Sequence, residues 1–243
     1  MTQAIASCFG RAATIYDQHA HLQRRAAERL LSETDDGGLW LDLGTGTGHV
    51  ARNLAAERVI ALDLALPMLQ QAQALGTPNG LCGDIMSLPI QAASVDGIAA
   101  NLSLQWCDPL SDTLAELARV ARPGAKLLAT LPLAHTFPEL RPLTERGQLA
   151  CNRFADLQEL KQRLQESPWS AFQLHPFTEV VHFDSVRALL GHFKATGAHH
   201  SQARQSGLRG RAWWHALNEQ LSQHRTSEGF PLTWELVLVE ATR

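Results

Sequence analysis

Asp42, Gly44, Gly46 and Gly48 occupy alternate places in Leu39-Trp40-Leu41-Asp42-Leu43-Gly44-Thr45-Gly46-Thr47-Gly48, between an apolar run and a helical pattern that opens at His49. That spacing suits a nucleoside-containing ligand. Glycine takes φ values closed to other residues and lets backbone approach a ligand closely, and the start of the next helix offers unpaired N–H groups. The dinucleotide fingerprint G-x-G-x-x-G needs a third glycine where this chain has His49, which argues against a dehydrogenase. Arg58-Val59-Ile60-Ala61-Leu62-Asp63 reads as a second strand ending in an acid. Asp63 falls about twenty residues past the first glycine, where a carboxylate can accept both ribose hydroxyls.

The elements that must position these groups follow a strand–helix rhythm. Residues from Ile5 to Leu31 are patterned as a helix, with Phe9, Ala12, Ala13, Tyr16, Ala20, Gln23 and Ala27 near one stripe and a break or bend expected at Gly10. Leu64 follows the second strand, and Pro67-Met68 starts a helix with proline in its tolerated first turn. Val95 to Asn101 is a further strand, and Asn101 sits at its carboxyl end, where open α/β sheets bind ligands. A helix over Asp112–Ala121 and a strand over Leu127–Leu131 follow. Alternation of this kind predicts a parallel, doubly wound sheet.

Past Pro132 the rhythm breaks. Helical patterns are expected at Thr144–Ala150, Asp156–Gln165, Val186–Lys194 and Ala212–Gln223, and strands at Phe172–Phe183 and Thr233–Glu240. A glycine- and arginine-rich connector runs from Ala203 to Arg211. From Ser185 to Arg225 six cations face one acid, a net of +5 in a chain of net charge −3. A basic face of this kind suits an acidic partner. Nucleic acid is the poorer match, since the interleaved aromatics are only Trp213-Trp214 and the pI is about 6.4.

Composition fits one domain of 243 residues, 45% hydrophobic and 19% charged, with no apolar run long enough to span a membrane. No secretory leader is read at the N-terminus, and the scattered Cys8, Cys82, Cys107 and Cys151 read as buried reduced thiols, so a cytoplasmic protein is expected. A monomer is the expected state. The eleven histidines show no metal-ligand spacing, so no metal is expected.

The D-x-G-x-G-x-G stretch resembles motif I of the S-adenosylmethionine (AdoMet) methyltransferases. Leu81-Cys82-Gly83-Asp84-Ile85 is similar to the stretch that, in those enzymes, places an Asp near the adenine amino group with an apolar neighbour against the ring. Further stretches resemble the malonyl-acyl-carrier-protein O-methyltransferases of biotin synthesis. They are Phe9-Gly10-Arg11-Ala12-Ala13 with Tyr16-Asp17-Gln18-His19-Ala20 and Gln23, Asn101-Leu102-Ser103-Leu104-Gln105-Trp106-Cys107, Asn152-Arg153-Phe154, Lys194-Ala195-Thr196-Gly197-Ala198, and Pro231-Leu232-Thr233-Trp234. Thr45 departs from the cysteine or similar small residue usual in that family, and a threonine should keep the turn.

The resemblance implies a Rossmann-like class I methyltransferase. It would have a mostly parallel, seven-stranded sheet and a helical insertion after strand five: a cap over residues 1–35, an AdoMet-binding core over 36–131, a substrate- and carrier-binding insertion over 132–225, and a final strand over 226–243. It also implies methyl transfer from AdoMet to the free carboxylate of a malonyl thioester on acyl carrier protein. A malonyl carboxylate is ionised at neutral pH and is itself the nucleophile, so positioning rather than general-base help is required. Implied AdoMet-binding residues are Asp42, Gly44, Gly46, Gly48, Asp63, Leu64, Met68, Asp84, Ile85 and Asn101. Arg153 is the first candidate to grip the acceptor carboxylate, since a guanidinium holds its oxygens in a fixed fork. Tyr16 could donate to substrate or to AdoMet, and Lys194 is a further candidate. Two rivals remain: a methyltransferase for a quinone precursor or free carboxylic acid, and an AdoMet-binding module without turnover.

Overall fold

The computed structural model describes residues 3–34, 37–146, 152–195 and 210–243. Three helices, α1 (Gln3–Ala12), α2 (Tyr16–His19) and α3 (His21–Leu31), precede β1 (Leu39–Leu43), α4 (His49–Asn53), β2 (Arg58–Asp63), α5 (Leu66–Ala74), β3 (Gly80–Cys82), β4 (Val95–Asn101), α6 (Leu110–Val120) and β5 (Ala121–Pro132). Then come α7 (Arg141–Glu145), α8 (Leu157–Gln165), β6 (Ser170–Phe183), α9 (Val186–Ala195), α10 (Arg211–Ser222) and β7 (Phe230–Thr242). The strands form one sheet in the order β3-β2-β1-β4-β5-β7-β6, parallel except for β7, which runs antiparallel to both its neighbours.

Period-two alternation places apolar side chains on both sheet faces. Leu41, Leu43, Ile98 and Leu127 pack on one face with Leu114 and Leu117 of α6 and Leu160 and Leu164 of α8. Trp40, Ala61, Ala99 and Leu128 pack on the other with Ala27 and Leu30 of α3 and Val50 and Ala51 of α4. That is the doubly wound arrangement expected. A third cluster joins Leu22 and Ala26 of α3 to Phe137, Leu140, Leu189, Leu217 and the first half of β7. Helix α3 therefore faces two apolar bodies, through Leu22/Ala26 and through Ala27/Leu30, as neighbouring stripes of a helix can.

Several expectations change. Gly10 does not break its helix; it lies inside α1, and a Cβ there would sit 3.3 Å from Cγ of Pro67. It is a close-packing glycine against the start of α5, and the chain bends instead between Ala12 and Tyr16 and again at Ala20. The fifth strand is longer than the apolar core of its sequence, because pairing with β4 and β7 extends it through the flanking residues. The strand expected at Phe172–Phe183 is present as β6, which starts two residues earlier and forms one edge of the sheet. Helix α7 begins before Thr144, and residues 147–150 lie outside the described residues. So do most of the 203–211 connector, Thr196 to Ala198, and Cys151. Cys8 and Cys107 are buried as expected, but Cys82 is exposed because β3 is the sheet's outer strand. Helix α8 is capped by Asp156, whose carboxylate accepts from the Glu159 N–H at 2.8 Å.

Trp40 pairs with Gly97 across β1 and β4, and its indole occupies the space a Cβ at 97 would need. Gly97→Ala is expected to lower unfolding stability by about 1–3 kcal/mol, the range for overpacking a core. Chemical denaturation followed by tryptophan fluorescence measures this; unchanged stability would mean that the indole shifts at no cost.

Candidate active site

The turn after β1 is built from backbone conformations that favour glycine. Gly44, Gly46 and Gly48 all have positive φ, at 65°, 54° and 81°. A Cβ on Gly44 would lie 2.5 Å from that of Ser103, and one on Gly48 would collide with the Thr77 hydroxyl. Gly46 is more open, with Cε1 of Tyr16 as its nearest neighbour at 3.9 Å from a built Cβ.

Two carboxylates hold this turn. Asp42 Oδ2 accepts from the Thr45 hydroxyl at 2.6 Å and from the Ala51 N–H at 3.1 Å, tying the end of β1 to α4. Thr45, the residue that departs from the family's usual one, thus supplies a bond to Asp42. Asp63 Oδ2 accepts from the Gly46 N–H at 2.9 Å, and its Oδ1 accepts from the Ala65 N–H at 2.7 Å. Each Asp63 oxygen keeps a second lone pair, so accepting ribose hydroxyls remains compatible with these bonds. Burial pushes the Asp42 carboxyl up to about 7, opposed by its two hydrogen bonds, and burial likewise raises Asp63.

Above the turn lies a cavity of about 410 Å³, counting its open mouth. Tyr16, Gln23, Arg24, Gly44, Gly46 and Asn101 are among the residues that line it, together with Asp17 and Asp42. The N-terminal segment is fastened over it by the Thr47 hydroxyl, which donates to Asp17 Oδ1 at 2.6 Å. Asn101 donates to the Gln23 carbonyl at 2.9 Å and accepts from Thr130 at 2.6 Å, fixing α3 on the carboxyl end of β4. Burial, then the Asp63 and Asp17 carboxylates, raise the Tyr16 hydroxyl pKa, so at neutral pH it stays protonated and can donate. His49 is pushed down by burial and by the Arg52 and Arg24 cations, so its ring is neutral.

The predicted residues separate into groups. Asp42, Gly44, Gly46, Asn101 and Tyr16 come together around the cavity. Asp63, half-buried Leu64 and Asp84 lie along the neighbouring strand ends, where the Asp63 carbonyl accepts from Gly83 and the Asp84 carboxylate accepts from the Met86 N–H at 3.0 Å. Gly48 does not face the cavity. It is buried against Thr77 and serves close packing at the start of α4. Ile85 is fully buried with Leu62 and Leu88, so its side chain is core and presents no face to a ring. Met68, 1% exposed, packs under Ala13 and Tyr16 and supports the cap from below. Arg153 is exposed beside Phe154, which packs in the third cluster, and is not among the cavity residues. Lys194 is on α9, with its side chain outside the described part.

Asp17, Gln23 and Arg24 are cavity residues that sequence reasoning did not select. A signal existed for Gln23, a polar residue on an otherwise apolar stripe.

The donors and acceptors fit AdoMet. Gln23 Oε1 is buried without a partner among the described residues, and Asp17, Asp42 and Asp63 gather near the turn, favouring a positively charged ligand. Among the described residues no group of three or more His, Cys, Asp and Glu could hold a metal, and no helix is long and apolar enough to cross a membrane.

The raised Asp42 pKa makes stability pH-dependent. Between its ordinary 3.8 and its folded value of about 7, the folded state holds a proton that the unfolded chain has lost, so stability contributed at low pH is lost as pH rises. Asp42→Asn should remove this slope, so that between about pH 4 and 8 the parent loses a few kcal/mol relative to the variant. Denaturation midpoints across that range measure it, and parallel pH profiles would refute a raised Asp42.

The methyltransferase-domain family matches residues 41–129, from β1 into β5. A malonyl-[acyl-carrier protein] O-methyltransferase from Erwinia billingiae is 39% identical, covering 97% of this chain and 95% of the relative. The biotin biosynthesis bifunctional protein BioHC from Cellvibrio japonicus is 33% identical over 96% of this chain and 48% of its own length. The crystal structure of a SAM-dependent methyltransferase from Thermotoga maritima superposes with a TM-score of 0.60 at 16% identity, covering 97% of this chain and 98% of that one. With the seven-stranded sheet, the glycine turn and these relatives together, the chain belongs to the malonyl-[acyl-carrier protein] O-methyltransferase family of AdoMet-dependent enzymes.

Proposed function

We propose that this protein transfers the methyl group of AdoMet to the free carboxylate of a malonyl thioester on acyl carrier protein, the esterification that opens pimeloyl synthesis for biotin. One observation carries the reading. The stretch from Phe9 to Gln23, one of those that resemble the malonyl-acyl-carrier-protein O-methyltransferases, supplies Tyr16, Asp17 and Gln23 to the wall of the cavity formed by the glycine turn. Residues of that resemblance and of the methyl-donor turn thus share one site.

When bound, AdoMet supplies a methyl group on a sulfonium. A malonyl carboxylate oxygen forms the new O–CH₃ bond as the S–CH₃ bond breaks, giving a methyl ester and S-adenosylhomocysteine, with no proton to move. The protein's part is to hold the reactants in line and exclude water. Arg153, exposed and with no ion pair or hydrogen bond among the described residues, is available to pair with the acceptor carboxylate. Lys194 is proposed as a second cation for the same task. Arg187, Arg211 and Arg225, all exposed, form the described part of the basic segment proposed to meet the acidic carrier protein.

Incubating malonyl-carrier protein with enzyme and AdoMet should add one methyl in place of one proton, seen by intact mass spectrometry, and hydroxide should release that methyl as methanol. No gain, or a gain that yields no methanol, would overturn the assignment. The double substitution Arg187→Glu/Arg211→Glu is expected to raise KM for carrier-bound substrate about tenfold, within the range of steered association. It should leave a short malonyl thioester unaffected, and an equal effect on both would place the two arginines elsewhere than the carrier contact.

A further inference from the structure

Two cavity residues left without a role by the proposed chemistry are neighbours on α3. Arg24 donates from Nη1 to the Asp17 carbonyl at 2.7 Å and meets His21 Nδ1 through Nη2 at 3.3 Å. These contacts use two of the five N–H groups of a guanidinium. Arg24 forms no ion pair among the described residues, yet its charge reaches both the Tyr16 hydroxyl and the His49 ring, so it stands inside the cavity rather than beside it. A half-buried cation without a contacting carboxylate is a place for an incoming anion.

The next residue offers the complementary group. Gln23 Oε1 is buried and accepts no hydrogen bond from the described residues, while its backbone carbonyl is occupied by Asn101. A buried carbonyl oxygen of this kind calls for an N–H donor. Other cations do not compete for the anion. Arg52 directs Nη1 to the Thr47 carbonyl and, at 2.8 Å, to the Thr77 hydroxyl, and it does not line the cavity.

An unpaired cation one residue from an unpaired acceptor matches an α-amino acid, and AdoMet carries one at its methionyl end. We propose that Arg24 grips the α-carboxylate of AdoMet while Gln23 Oε1 accepts from its α-ammonium, so that α3 selects the amino-acid end of the methyl donor. The proposal rests on AdoMet occupying this cavity. The competing role for Arg24 is a brace that holds Asp17, and hence the cap, in place.

Calorimetric titration of the full chain with AdoMet and with decarboxylated AdoMet, which keeps the amine and lacks the carboxylate, separates the two roles. Arg24→Gln, which removes the charge and keeps a polar amide on the helix, should weaken AdoMet binding by about 10- to 100-fold and decarboxylated AdoMet by less than about threefold. Arg24→Lys should fall between, since it restores charge without the fork. Gln23→Leu should weaken both ligands alike, because both carry the amine. Equal loss of both ligands in Arg24→Gln means a brace and overturns the carboxylate grip, as does loss of neither. Unchanged binding in Gln23→Leu overturns the ammonium contact. Failure of the parent protein to bind either ligand would remove the AdoMet reading of the cavity, and this inference with it.

Discussion

Asp42 at the end of β1 and Asp63 at the end of β2 each place a carboxylate oxygen on the loop between Gly44 and Ala51. Burying two acids so close is unfavourable unless donors meet them. Here the donors are the loop's own N–H groups and the Thr45 hydroxyl, so the carboxylates and the turn fix each other. The left-handed glycines follow from the same crowding, since Ser103 fills the space beside Gly44 and Thr77 the space beside Gly48. A positively charged methyl donor is the ligand such a pocket favours, because it lessens the cost of keeping the acids ionised.

The second dependence is on α3. Its Leu22 and Ala26 enter the cluster formed by the segments past Pro132, while Ala27 and Leu30 lie on the sheet beside Trp40. Arg25 bonds the Val180 carbonyl at 3.1 Å and approaches Glu179, and Arg29 lies over the Phe177 ring at 4.5 Å. Exposed ion pairs of this kind are individually weak, so the apolar contacts dominate. Gln23 and Arg24 then face the cavity between the two apolar bodies, and a rigid helix presents them there without a loop's freedom.

Much of this was legible in the sequence because it is local. A strand, a glycine turn, a helix and an acid at the next strand end occupy consecutive residues, and each has a short-range pattern. The seven-stranded order needed resemblance, since β7 inserts between β6 and a β5 that lies about a hundred residues before it. Errors arose where a distant partner decides. Gly10 reads as a break, but Pro67 makes it a contact; Ile85 reads as ring-facing, but Leu62 and Leu88 pack around it in the core. Arg24 was invisible for the complementary reason. Nothing in Leu22-Gln23-Arg24-Arg25 distinguishes a cavity-facing arginine from the exposed one that follows it.

The two-sided packing of α3 bears on how such an enzyme could be recombined. Cutting the chain at Pro132, where the strand–helix rhythm ends, does not separate a methyl-donor module from an exchangeable acceptor module. The third cluster is not closed without Leu22 and Ala26, which are encoded more than a hundred residues earlier. A chimera that swaps the segments past Pro132 while keeping a foreign α3 would leave an unfilled seam on that cluster and set the neighbouring Gln23 and Arg24 at a new angle to the glycine turn. The transferable unit is therefore discontinuous in sequence: the helix from His21 to Leu31 travels with the far half of the chain.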